Sequence, residues 1–278
     1  MKIIQAYQAL IEHIARVASI PNVRKILLPL TAPLPGESDD FGFVVLEDGS
    51  VGPFYVSLGD TYQGVSAAIE ANQDTPWDTL SLTRKFGCGR VADAALALGA
   101  FNALSQHLMH RAGFDPVATG SGKSPLAEGA RIGLVGYFRP LVERLLKQGH
   151  VVTVIEKQPQ RVPVGQGVAL FTSPEALADC DRVLCTASVL INATVDAIVD
   201  ACDGRVPLEL IGPSASGFPD PLFQRGVVAV GGIAIDDAER LQQALADGES
   251  WGTVGRKYQL DPTSWPGADA LLRAMALT

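Results

Sequence analysis

Three residue types at the ends of apolar runs could do chemistry in this sequence: a carboxylate, an amide and a glycine. Glu156 closes VVTVIE (151–156), Asn192 lies in TASVLINAT (186–194), and Gly136 ends RIGLVG (131–136). With RVLCTA (182–187), LELIG (208–212) and VVAVGG (227–232), these runs read as buried strands separated by helical stretches such as TVDAIVDAC. Strands alternating with helices imply a parallel sheet covered on both faces. Such sheets bind ligands beyond the carboxyl ends of their strands. Here those ends carry GYFRP (136–140), Glu156, TASVLINAT and GPSASG (212–217). An ordinary strand-to-helix turn explains any one of these loops, but four at one edge point to a binding crevice.

The crevice does not read as a standard dinucleotide site. If Gly136 opens a G-x-G-x-x-G motif, the later glycines fall on Phe138 and Leu141. A phenylalanine side chain obstructs the close approach of a pyrophosphate. Glu156 alone fits, 20 residues after Gly136, where an acid would hold a ribose. Asn192 reads as a cap for the following helix, with Asp196 in its first turn, and capping is compatible with ligand contact. TGSGKSP (119–125) ends like a phosphate-binding loop, but that loop needs a glycine where Val117 stands, and no strand precedes it. It reads as a flexible linker, so Lys123 is not expected to serve nucleotide binding. His107 and His110 lie three apart on one long helix without an H-E-x-x-H pattern. Cys88 sits between glycines in FGCGR, Cys185 lies inside a strand, and the G-x-S-x-G nucleophile elbow is absent.

The elements that must position these residues divide into two grammars. Ile3, Tyr7, Leu10, Ile14 and Val17 recur at helical spacing, an amphipathic helix rather than a signal peptide. FGFVVLEDGSVGPFYVSL (41–58) reads as a hairpin with a two-residue turn at Asp48-Gly49. RVADAALALGAFNALSQHLMHRAG (90–113) is a long helix. Its buried stripe is Val91, Ala94, Ala95, Leu98, Phe101 and Leu104, and Gly113 is its cap. We therefore expect an α+β domain over residues 1–118, a linker over 119–129, and an α/β domain over 130–278 ending in a helix. The 278 residues are enough for two domains with ample cores. A net charge of −8 without a basic cluster gives no footprint for nucleic acid. Four cysteines without C-x-x-C spacing suit free thiols in a reducing cytoplasm, and no apolar run reaches the length of a membrane span.

RIGLVGYFRPLVERL, VIEKQP, DRVLCTASVLINATVD and LIGPSASGFPDPLFQRGVVAVGG, in this order, resemble a family of bacterial and archaeal proteins named for putative heavy-metal chelation. VGPFYVSLGD and ALALGAFNALS resemble the domain that precedes these motifs in that family. The resemblance implies an α/β fold: a Rossmann-like doubly wound parallel sheet preceded by a smaller α+β domain like the N-terminal domain of enolase. It places a site in the cleft between the two and implies a small-molecule or metal ligand, the metal either free or as a chelate. Carried onto matching positions, the cleft includes Gly136, Tyr137, Phe138, Glu156, Thr186, Asn192, Thr194, Gly212, Pro213 and Ser214. Asn102 joins them from the N-terminal half, since an amide in mid-helix on a packing face asks for a polar partner. The matched cleft positions hold no thiol or imidazole, so hard or borderline cations are expected over thiophilic ones. Two functions stay open: a binding or chelation protein, and an enzyme on a nucleotide-like or small anionic substrate with Glu156 as acid or base. The ligand and any homo-oligomer are left open too.

Overall fold

In the computed structural model, which describes residues 1–33, 40–72, 75–87, 89–120, 125–163, 165 and 167–276, the first helix α1 (Ile3–Val17) buries Ile3, Tyr7, Ile11 and Ile14. Leu10 is only half-buried and Val17 is exposed, so the apolar stripe bends toward Ile11 rather than following the expected one. Strands β1 (Val23–Leu27), β2 (Phe41–Leu46) and β3 (Val51–Tyr55) form an antiparallel sheet. The β2–β3 turn is one residue longer than expected. Leu46 N donates to Ser50 O at 2.9 Å, which leaves Glu47, Asp48 and Gly49 in the loop. Helices α2 (Thr61–Ala71), α3 (Thr79–Thr83), α4 (Val91–Arg111) and α5 (Pro116–Thr119) complete this half.

The second half holds β4 (Arg131–Val135), α6 (Arg139–Lys147), β5 (Val151–Ile155), β6 (Ala169–Phe171), β7 (Arg182–Thr186), α7 (Val195–Cys202) and β8 (Leu208–Ile211). It continues through α8 (Asp220–Phe223), β9 (Val227–Ile235), α9 (Ala238–Ala246), β10 (Gly255–Leu260) and α10 (Ala268–Met275). Its seven strands run in the order β10-β9-β8-β7-β4-β5-β6, all parallel except β10. The chain steps outward from β4 to β6, returns to the other side of β4 as β7, and steps outward again. The switch point therefore lies between β4 and β7. Ile132 and Leu134 pack under Val142 and Leu145 of α6, while Val135 and Cys185 face Ile198 and Val199 of α7 on the opposite side. No helix among the described residues is long and apolar enough to cross a membrane.

Helix α4 carries no simple stripe: residues 94–105 are all buried, because other elements surround it. Gly52 of β3 touches it directly. A β-carbon there would stand 2.0 Å from Gly99 O and 2.2 Å from Ala103 N, so only glycine lets the two backbones approach. Val44 and Phe54 face α4, whereas Phe43, Val45 and Val51 on the other face pack with Ile235, Ala238 and Leu241 around α9. The small sheet is thus held between its own helix and an element from the far end of the chain.

Because α4 is surrounded, its polar groups need partners. Buried His107 donates from Nδ1 to Asp48 Oδ2 at 2.6 Å, pinning the β2–β3 turn to the helix. Burial pulls the Asp48 carboxyl upward, but hydrogen bonds from His107 and from the backbone and hydroxyl of Ser50 outweigh it and hold the group at about 2. Folding lowers this pKa, so the pair stabilises the native state above the unfolded value and loses that contribution as pH falls through the folded one. Asp48→Asn should cost about 1 kcal/mol near neutral pH, after allowance for the exposed edge of the carboxylate. Denaturant titrations at falling pH should show the gap between variant and wild type closing between about pH 4 and pH 2. A gap independent of pH would contradict this account.

Candidate functional site

The strand order sets four carboxyl-terminal loops side by side, those after β8, β7, β4 and β5. Gly136, after β4, has φ +88, and a β-carbon there would lie 3.1 Å from Thr186 Cγ2. The β4 and β7 loops therefore touch at the switch point, and the position requires glycine for both conformation and space. The Phe138 ring also borders Gly136, 3.6 Å from that notional β-carbon, and Phe138 occupies the N-cap of α6 without a side-chain cap. Tyr137 turns the other way. Its ring packs on the apolar cluster beneath α6, and its hydroxyl is buried without a hydrogen-bond partner in the protein.

Glu156 is buried at the end of β5. Its Oε2 accepts from Tyr137 N at 3.2 Å and its Oε1 from Gln158 N at 3.0 Å. In dinucleotide-binding folds the N–H groups that follow the first glycine face a pyrophosphate. Here one of them is taken by the chain's own carboxylate. Each carboxylate oxygen keeps a second acceptor direction. The loop therefore offers negative charge and hydrogen-bond acceptors to whatever lies beyond it.

The β7 loop adds neutral oxygens. Thr186 Oγ1 accepts from Ser188 N at 3.3 Å and lies 3.1 Å from Ser188 Oγ. Asn192 is not the N-cap of α7; Thr194 is. Asn192 Oδ1 instead accepts from Thr194 N at 3.3 Å and Thr194 Oγ1 at 2.6 Å, an Asx turn that delays the helix by two residues. Between them Ala193 sits at φ +55, a left-handed conformation that costs a residue with a β-carbon about 1 kcal/mol. Asp196 does lie in the first turn of α7, where it accepts from Ile3 N at 3.0 Å and pairs with Arg225.

The β8 loop is spent inward. Ser214 Oγ accepts from Tyr55 N at 3.0 Å, while Asn102 Nδ2 donates to Pro53 O at 2.7 Å and to Ser214 O at 3.0 Å. Asn102 is fully buried and Ser214 nearly so, which makes both positioning residues. Gly212 and Pro213, half-buried, form the base of the same turn, and Pro213 O accepts from Ser216 Oγ at 2.6 Å. Sequence reasoning missed the rest of this network. Gln106 Nε2 and the Tyr258 hydroxyl both donate to Ser216 O, at 3.0 and 2.9 Å. No local pattern marks these residues, because their partners are far away in the chain.

Metal-binding alternatives find little support in the geometry. His107 is committed to Asp48 and His110 is exposed. Cys88 and Lys123 fall outside the described residues. Cys180, Cys185 and Cys202 are buried, and burial pushes each thiol upward, Cys202 to about 11, which disfavours the thiolate a metal needs. Among the described residues no three His, Cys, Asp or Glu side chains are grouped to hold a metal ion.

A profile of the family described as putative heavy-metal chelation matches residues 122–262, just over half of the chain. The chain belongs to this family. A family protein of unknown function from Pyrococcus horikoshii is similar with a TM-score of 0.69 and 18% identity, over 93% of this chain and 99% of that one. A second, from Desulfitobacterium hafniense, reaches 0.64 and 16% identity, over 93% and 98%. At these identities the likeness shows the shared fold. No functionally curated protein matches.

In this family member Asn102→Ala should leave two buried carbonyl groups short of a donor and cost about 2 to 3 kcal/mol. Ser214→Ala should cost about 1 to 2 kcal/mol through the orphaned Tyr55 N–H. Because both act on one loop, the double variant should lose less than the sum of the two, as read from denaturant midpoints. Strict additivity would show that the two contacts do not work as a unit.

Proposed function

We propose that this protein binds a small polar ligand at the carboxyl ends of β4, β5 and β7. The site faces the junction of an N-terminal lobe over 1–118 and a Rossmann-like lobe over 130–278, joined by 119–129. The N-terminal lobe, a helix, three antiparallel strands and further helices, is read as enolase N-terminal-like. The observation that carries the proposal is the Glu156 carboxylate, fixed by the Tyr137 and Gln158 amides at the switch-point loop. A carboxylate in that place disfavours a phosphate and favours a cation or a hydroxyl donor. Thr186, Asn192 and Thr194 add oxygen atoms nearby in the β7 loop.

These residues do not fit a bare heavy-metal ion. One carboxylate with neutral oxygens lacks the thiolate and imidazole ligands that soft metals prefer. A metal would therefore arrive with most of its coordination already supplied, as an organic chelate whose outer atoms meet Glu156. This reading keeps the family description while moving selectivity from the metal to its carrier.

Calorimetric titration of Ni²⁺ and Zn²⁺, each as the free ion and as the ethylenediamine chelate, whose positive charge and N–H groups suit a carboxylate, tests it. The chelates should bind and the free ions should not. Glu156→Gln should weaken chelate binding by roughly tenfold or more, the value of a lost charge-assisted hydrogen bond. The variant should also lose about 1 kcal/mol of stability, since one amide partner of the carboxylate would then face an NH₂ group. Equal affinity in wild type and variant would remove Glu156 from the site. Tight binding of free Zn²⁺ would return the selectivity to the metal.

A further inference from the structure

The two outer strands of the large sheet end it differently. On one side, β10 carries Arg256 and Lys257, both exposed. The chain at Gly120 lies against its backbone, so that a β-carbon there would stand 2.7 Å from Gln259 O. Charged side chains and a covering loop are what keep an outer strand from pairing with another chain. On the other side, Ala169, Leu170 and Phe171 of β6 are all exposed, and residues 167–173 hold no charged side chain and no proline. Phe171 O accepts from Glu156 N at 2.9 Å, so the Phe171 backbone faces β5. Backbone direction alternates along a paired strand, which points Leu170 N–H and C=O away from the sheet. The side chains alternate as well. Leu170 pairs with Val154 and lies on the α6 face, whereas Ala169 and Phe171 pair with Thr153 and Ile155 on the opposite face. Parallel sheets ordinarily bury both faces. Here the 3-10 turn Pro174–Asp179 packs Leu177 over Gly133 of β4, but Val151, Ala169 and Phe171 stay exposed beyond it.

We propose that β6 is an interface with a second copy of this chain, the two strands pairing antiparallel about a two-fold axis at Leu170. In that register Leu170 exchanges both of its outward backbone hydrogen bonds with Leu170 of the second copy. Each Phe171 then lies opposite Ala169 of the other copy, large against small, and the two Leu170 side chains meet on the α6 face. Near a two-fold axis a side chain faces its own like, so any charge on this strand would repel its copy. The neutral run from Gly167 to Ser173 meets that demand, which a strand from an unrelated partner would not impose. Pairing joins the two seven-stranded sheets into one and covers the exposed Phe171 and Leu170 side chains.

Sedimentation of the full chain over a range of concentrations, with hydrogen exchange read at single amides, tests it. Wild type should pass from monomer to dimer as concentration rises. The outward-facing Leu170 amide should become protected in the dimer and lose that protection on dilution. Leu170→Lys and Leu170→Glu should each be monomeric, since like charges then meet at the axis. Mixed in equal amounts, the two variants should recover the dimer, because opposite charges now face each other, and that recovery also shows that both fold. Should either variant fail to fold, the concentration dependence of Leu170 protection in wild type decides alone. A wild type that is monomeric at every concentration would overturn the proposal. So would a dimer that survives in both single variants, folded variants that do not recover it on mixing, or a dimer in which the Leu170 amide stays unprotected.

Discussion

A buried amide ties the two halves of this protein to each other. Asn102 donates both Nδ2 hydrogens, one to the backbone of β3 and one to the loop that follows β8. Helix α4 is surrounded, so no water competes for those hydrogens, and removing either carbonyl from reach would strand a polar group in the interior. Ser214 makes the arrangement reciprocal by taking the Tyr55 N–H on its own hydroxyl. Gln106 and Tyr258 extend the same logic one turn along the helix. The carboxyl edge of the large sheet is thereby fixed against the small sheet through polar contacts of defined geometry. Apolar packing alone would permit sliding.

That fixed edge lets the proposed site draw on few side chains. Parallel strands on either side of the switch point deliver their loops to one line, and Gly136 lets the β4 loop lie against Thr186. Glu156 then does the work that a bound phosphate does in related sheets, holding the turn after the first strand from within. The substitution puts a carboxylate where such sheets elsewhere hold a bound anion. A loop that elsewhere attracts anions here carries its own. The overall charge of −8 adds to that preference only weakly, because distant surface charges are screened over about 10 Å in ordinary salt.

Much of the Rossmann-like sheet was legible because its strands are short apolar runs ended by glycine or by a polar residue. β6 and β10 were not. β6 is only ALF, too short to show a period, and β10 begins GRK, the charged face of an edge strand that looks like a loop. The long helix was legible as a helix, but its burial was not, since a helix surrounded on all sides loses the one-sided pattern on which such readings depend. Glu156 and Gly136 could be placed at strand ends from their runs alone. Their meeting could not, because it depends on strand order, which no local spacing encodes. Asn192 was misread as a cap because an Asx turn and an N-cap use the same residue types in nearly the same place. The left-handed Ala193 that separates the two leaves no mark in composition.

The outer face of the small sheet has a consequence for how the chain is made. Phe43, Val45 and Val51 find their cover in Ile235, Ala238 and Leu241, which leave the ribosome only after most of the protein has been translated. Until then the nascent hairpin exposes Phe43, Val45 and Val51 on one face. Contacts so distant in sequence also form slowly, because a long loop must close before they repay its entropy. The waiting hairpin thus keeps an apolar face open to wrong partners until α9 arrives.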